Sequence, residues 1–159
     1  MSRIREDYIN TGKVRFVYKQ FAILGPESNR TAEASECAAE QDKFWEFHDY
    51  VFADQANNRS PLNDETLISL AAGVGLDVAA FTECLQSNRY TNQISEESLA
   101  VQSLGVRGTP GFVVNGVYIA GAQPFEVFQQ VIEEQLQAIE DSSAPAEPQQ
   151  PAGPPPPGR

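Results

Sequence analysis

The spacing of apolar positions along the chain changes three times, and each change marks a different kind of element. Residues 13–21, KVRFVYKQF, alternate: Val14, Phe16 and Tyr18 fall on one side, Arg15 and Lys19 with Val17 on the other. A period of two in β-branched and aromatic residues predicts a strand. Ahead of it, Ser2 to Asn10 reads as the end of a helix, which Thr11-Gly12 closes with a glycine stop. From Pro26 the period lengthens. NRTAEASECAAEQ is rich in good helix formers, and proline suits a first helical turn. In DKFWEFHDYVFAD, Phe44, Phe47, His48, Val51 and Phe52 recur at i, i+3, i+4, i+7 and i+8, the spacing of one apolar helical face. Asn63-Asp64 before ETLISLAAGVG and Asp77 before VAAFTECLQSN each put a capping side chain ahead of a helical run. RYTNQISEESLAVQSLG adds another helix, stopped at Gly105. A helical block is therefore predicted from about residue 26 to residue 104.

The third change returns to short apolar runs. Phe112 to Val114 and Val117 to Ile119 flank Asn115-Gly116, a pair suited to the positive φ angles of a type I′ hairpin turn. Pro124 then opens FEVFQQVIEEQLQAIE, with Phe125, Phe128, Val131, Ile132 and Leu136 along one side of a final helix. From about Asp141 the composition becomes SSAPAEPQQPAGPPPPGR, too poor in apolar residues to order itself, so residues 141–159 are predicted to be a disordered Pro-rich tail. Its proline run also has the composition of a polyproline ligand, against the plainer reading of a flexible tail. No internal repeat is present.

Composition narrows the function classes. At 159 residues there is room for one domain with a real core. A net charge of −11 argues against nucleic acid and against an anionic membrane surface. No stretch approaches the roughly 18 apolar residues of a membrane span. The polar start, MSRIREDYINTGK, lacks the apolar core of an export signal, so the chain as written would stay in the cytosol. Cys37 and Cys84 are too far apart to form a Cys-x-x-Cys motif. His48 is the only histidine, which leaves no Cys/His cluster for a metal, and no cofactor is implied. On its aromatic face, His48 reads as a hydrogen-bonded core histidine rather than a catalytic base. Trp45 and the neighbouring phenylalanines read as core rather than as a ligand site.

Four segments together resemble the DsbA-like thioredoxin-fold proteins of bacteria: VRFVYKQF, AEASECAAEQDKFWEFHDYVF, LDVAAFTECL and, above all, GVRGTPGFVVNG. The most specific element is V-x-G-T-P-x-F-x-x-N-G from Val106 to Gly116, and the resemblance runs from about Arg3 to Gln135. It implies an α/β, thioredoxin-like domain over residues 1–140, with residues 26–104 as a helical insertion of DsbA type. It further implies a cis bond at Pro110, in the place that faces a reactive Cys-x-x-Cys in the family. Gly108, Thr109 and Pro110 would form the active-site loop that receives an extended substrate. There the Thr109 hydroxyl would donate to a thiolate and favour it. The implied activity is thiol–disulfide exchange on protein or peptide substrates, with a redox partner protein for the complete form, in the cell envelope. For Cys37 and Cys84 the resemblance favours a structural disulfide, with two buried free thiols as the alternative.

The sequence departs from the family where the chemistry sits. No Cys-x-x-Cys is present, and MSRIREDYINTGKVRF matches the last turns of the helix that follows that motif. The thioredoxin fold is thus expected to be incomplete, its first strand absent and two strand edges left without partners. Unsatisfied buried backbone groups cost about 1–3 kcal/mol each. A wrong start or a fragment is the expectation, with no dithiol oxidase activity as written. The rival is a redox-silent peptide-binding or holdase module with a degenerate fold.

Overall fold

The structure, a computed structural model, describes residues 2–143. Most of the tail expected over residues 141–159 lies outside the described residues. In chain order the elements are α1 (Ser2–Ile4), which runs on as a π-helical turn (Arg5–Ile9), then α2 (Pro26–Ala39), α3 (Phe44–Asn57), α4 (Asp64–Gly73), α5 (Val78–Ser87) and α6 (Thr91–Ser103). They are followed by β1 (Gly111–Val114), β2 (Val117–Ala120) and α7 (Phe125–Ser143). The last helix therefore continues three residues beyond the expected boundary at 140.

The chain forms two compact units. The larger comprises residues 16–112 and 120–122. In it α2 packs against α3, α4, α5 and α6. Ala34, Cys37 and Ala38 of α2 meet Phe47 and Val51 of α3, Leu67, Leu70 and Ala71 of α4, and Phe81, Cys84 and Leu85 of α5 in one buried cluster. Small residues on α2 let the other helices approach closely, and the aromatic residues Phe47 and Phe81 fill the space between, with ring centroids 5.6 Å apart. The caps are local. Asn63 Oδ1 accepts from the Thr66 amide at 2.9 Å, and Asp77 Oδ1 accepts from the amides of Ala79 and Ala80.

Two cross-links hold this unit together. A disulfide joins Cys37 to Cys84, Cα to Cα 5.8 Å, both residues 1% exposed inside the cluster. Arg30 of α2 donates to both carboxylate oxygens of Asp64 at 2.6 Å, to Glu33 Oε2 at 2.8 Å, to the Leu85 carbonyl at 2.7 Å and to Asn88 Oδ1 at 2.8 Å. One guanidinium thus fastens α2 to the start of α4 and the end of α5. Its hydrogen bonds hold the Asp64 carboxyl below the usual range.

The expected strand over 13–21 is a correction. Among the described residues the sheet has two strands, β1 and β2, and residues 14–23 belong to neither. A strand is a pairing, and alternation supplies only the readiness to pair. The alternation survives only in part: Val14 and Phe16 are half-buried, Arg15 and Val17 are exposed and Gln20 is buried, but Tyr18, expected inward, is 37% exposed. Side chains anchor the stretch instead. The Gln20 amide donates to Glu97 Oε2 at 3.0 Å, and Gln20 Nε2 donates to Ser35 Oγ and to Glu36 Oε1, both at 2.8 Å.

The smaller unit comprises residues 1–15, 113–119 and 123–159. Its described part pairs α1 with α7. Arg3 lies 3.7 Å over the Phe125 ring and 3.2 Å from Glu126 Oε1, while the buried Tyr8 donates to Glu133 Oε1 at 2.8 Å. Gly12, at φ +76°, turns the chain after the π-helical turn.

Candidate functional site

The stretch ahead of β1 departs from ordinary backbone. Thr109-Pro110 is a cis peptide, and the Pro110 carbonyl accepts from the Gly121 amide at 2.9 Å. That bond ties the loop to the residue after β2. Val106 is buried and anchors the approach, whereas Thr109 and Pro110 are exposed. At Asn115 and Gly116 φ is +46° and +93°, the two positive values a type I′ turn requires. Gly108 has no positive φ, and a methyl group there would meet no atom within 4 Å, so neither backbone nor packing within these residues demands a glycine.

Thr109 lines a cavity of about 440 Å³ in the larger unit. Phe47 and Val51 of α3 and Ala32 of α2 line it together with Tyr18, Phe21 and Leu24 of the irregular stretch. The surface is mainly apolar, and three of its residues carry large exposed side chains: Leu24 is 80% exposed, Phe52 62% and Tyr18 37%. Exposed apolar surface concentrated around one concavity is the signature of a place for another molecule.

The aromatic face of α3 requires a second correction. Its residues do not form one buried stripe, because at about 100° per residue the run covers a wide arc. Phe47 and Val51 point into the cluster, and Phe44 and His48 are half-buried beside them. Phe52 and Trp45, farthest around the arc, are exposed, Trp45 at 39%. His48 is accordingly not a core histidine. It lines the cavity with its Nδ1 2.9 Å from Asp49 Oδ1, and its ring packs against Phe52 (4.6 Å) and Tyr18 (5.4 Å). Sequence reading passed over Gln20, a buried residue on the cavity wall whose side-chain amide makes two hydrogen bonds and whose backbone N–H makes a third. A polar residue inside an apolar alternating run was the one available signal.

The structure brings Thr109, His48 and the apolar wall to one cavity and leaves Cys37 and Cys84 out of it. Neither sulfur lines the cavity, and each is committed to the other. The arrangement can hold an extended apolar segment against the loop, but it has no thiol with which to exchange.

The family model described as Thioredoxin matches residues 1–134. The chain is 31% identical over 121 residues to "Probable disulfide bond formation protein D" of Bacillus cereus, a match over 73% of this chain and 56% of that protein. The crystal structure of oxidised BdbD from Bacillus subtilis superposes with a TM-score of 0.76 at 25% identity, over 86% of this chain and 76% of that one. The chain belongs to the DsbA-like thioredoxin family. It spans little more than half the length of the Bacillus cereus relative. A match of 35% identity over 115 residues to the Na(+)/H(+) antiporter NhaA 3 of Salinispora tropica covers 71% of this chain and 17% of the antiporter.

Proposed function

We propose that this chain carries the substrate-receiving surface of a DsbA-like protein-disulfide oxidoreductase. The observation that carries this reading is the position of Thr109, beside cis-Pro110, on the wall of the apolar cavity. A protein segment lying in that cavity would bring a cysteine to the Gly108-Thr109-Pro110 loop, where exchange in this family takes place. The exchange itself needs a reactive dithiol, and the two cysteines of this chain are bonded and buried. The 159-residue chain alone therefore binds and does not oxidise. Its buried disulfide supports work in an oxidising compartment outside the cytosol, where such bonds persist.

The second reading, a redox-silent peptide-binding or holdase module, draws on the same buried disulfide: a cavity with no reactive thiol beside it still binds. Thr109→Cys tests the shared premise. Its thiolate attacks a peptide cysteine activated as a mixed disulfide with thionitrobenzoate, forming protein–S–S–peptide and releasing the coloured thiolate. With an apolar peptide the release is expected to be faster than from Glu83→Cys, an exposed position on α5 outside the cavity. Equal rates from the two positions would remove the cavity from the account. In an insulin-reduction or dithiol-oxidation assay the unmodified chain is expected to show no turnover, and robust turnover would overturn the division between binding and exchange.

A further inference from the structure

A second recess shares Tyr18 with the apolar cavity. Its volume is about 250 Å³, and it is lined by Tyr18, Phe44, Trp45, Glu36, Gln93 and Glu97. The three rings stand steeply to one another: Phe44 and Trp45 at 88°, Tyr18 and Trp45 at 89°, Tyr18 and Phe44 at 60°, with centroids 5.0, 5.9 and 5.1 Å apart. The rings pack edge against face and together line one wall of the recess, and a π face left open to it attracts a cation. The carboxylates of Glu36 and Glu97 stand beside it, each accepting one hydrogen bond from Gln20 through one oxygen. The Glu36 charge reaches Tyr18: after burial, it is the next cause raising the phenol above its ordinary value.

The chain already sets a cation at this mouth, because Lys19 Nζ lies 3.1 Å from Glu97 Oε1. That pair is exposed on the lysine side and correspondingly weak. A planar guanidinium suits the recess better than an ammonium, since it stacks on an indole and pairs with a carboxylate at once. The net charge of −11 draws basic segments toward the surface as a whole. Tyr18 lines both recess and cavity, so the two sites adjoin at this residue.

We propose that this recess is a subsite for the guanidinium of an arginine side chain, presented by the protein segment that occupies the adjoining cavity. The cation site stands on the ring and carboxylate geometry; its assignment to the same segment rests on the cavity reading above.

Trp45 is the only tryptophan of the chain and reports on the recess directly. Titration of the full chain with N-acetylarginine amide is expected to give a saturable change in its emission. The neutral isostere N-acetylcitrulline amide is expected to need about ten-fold more for half-saturation. Glu36→Gln keeps an acceptor for Gln20 and is expected to raise half-saturation about five-fold, while Glu96→Gln, exposed on α6 outside the recess, leaves it within about two-fold. Equal binding of citrulline, or an equal effect of Glu96→Gln, would overturn the cation site. For the second half of the proposal, two peptides of one apolar sequence, with arginine or with citrulline, are compared for binding. A preference for arginine that Glu36→Gln abolishes supports a shared segment. If the free amide binds but the peptides do not differ, the cation site stands and the shared segment is overturned.

Discussion

The helix α2 separates two regions built by opposite rules. On one side Ala34, Cys37 and Ala38 face α3, α4 and α5, and nearly every apolar side chain there is out of water. On the other, Ala32, Ser35 and Glu36 meet residues 16–24, where Val17 and Leu24 stay exposed and the anchoring hydrogen bonds come from side chains. The first region places its backbone hydrogen bonds within helices, so its side chains are free to pack. The second has no ladder among the described residues and depends on Gln20, Glu97 and a group of aromatic rings. The contrast is one of burial: the helical side is a closed core, and the irregular side leaves apolar surface open around the cavity that it shares with α3.

The largest expected effect breaks the packed side. Phe81→Ala removes a fully buried ring that meets Phe47 and should cost about 3–5 kcal/mol in urea unfolding; a loss below about 1 kcal/mol would place the core elsewhere. Replacing Cys37 and Cys84 together by alanine opens a loop with a sequence separation of 47 and should cost about 2–4 kcal/mol by the same measurement. Gln20→Ala tests the irregular side. It removes the donor to Ser35 Oγ and Glu36 Oε1 and should cost about 1–3 kcal/mol, with faster tryptic cleavage at Arg15 and Lys19 than in the parent chain.

Acidification sharpens the comparison further. The folded-state pKa of Asp64 is lowered, so its contribution is present above the unfolded value of about 3.9 and is lost as pH falls through the folded one. Stability should therefore decline as pH drops below about 4, and Asp64→Asn should flatten that decline. A mutant curve that keeps the parent's slope would detach Asp64 from the effect. The smallest change in stability is expected from Leu24→Ser, within about 0.5 kcal/mol, because that side chain is 80% exposed. The same change should slow capture of an apolar peptide by Thr109→Cys, which separates surface from stability in one variant.

The packed side was largely legible in the sequence because helical spacing and capping are local. Asn63, Asp77 and Pro26 each announce an element within a few residues, and each stands where its element begins. The irregular side was not legible in the same way. KVRFVYKQF announces a readiness to pair, but whether it is a strand depends on a partner distant in sequence. The aromatic run on α3 shows a similar limit, since spacing identifies a helical face without fixing how much of its arc the neighbours cover. For that reason Trp45, Phe52 and His48 looked like core residues and prove to be surface or cavity wall. The cis bond at Pro110 was announced by its motif, whereas Gln20 and the recess beside Tyr18 follow only from contacts across the fold.

The bond between Cys37 and Cys84 also has a topological meaning. It encloses the whole of α3 and α4, together with the link 58–63, in one covalent ring. Arg59 lies in that link, and a protease that cuts after it turns the ring into two chains still joined through sulfur. Such a nicked molecule would migrate as a single species on a non-reducing gel and separate into two fragments once reductant is added.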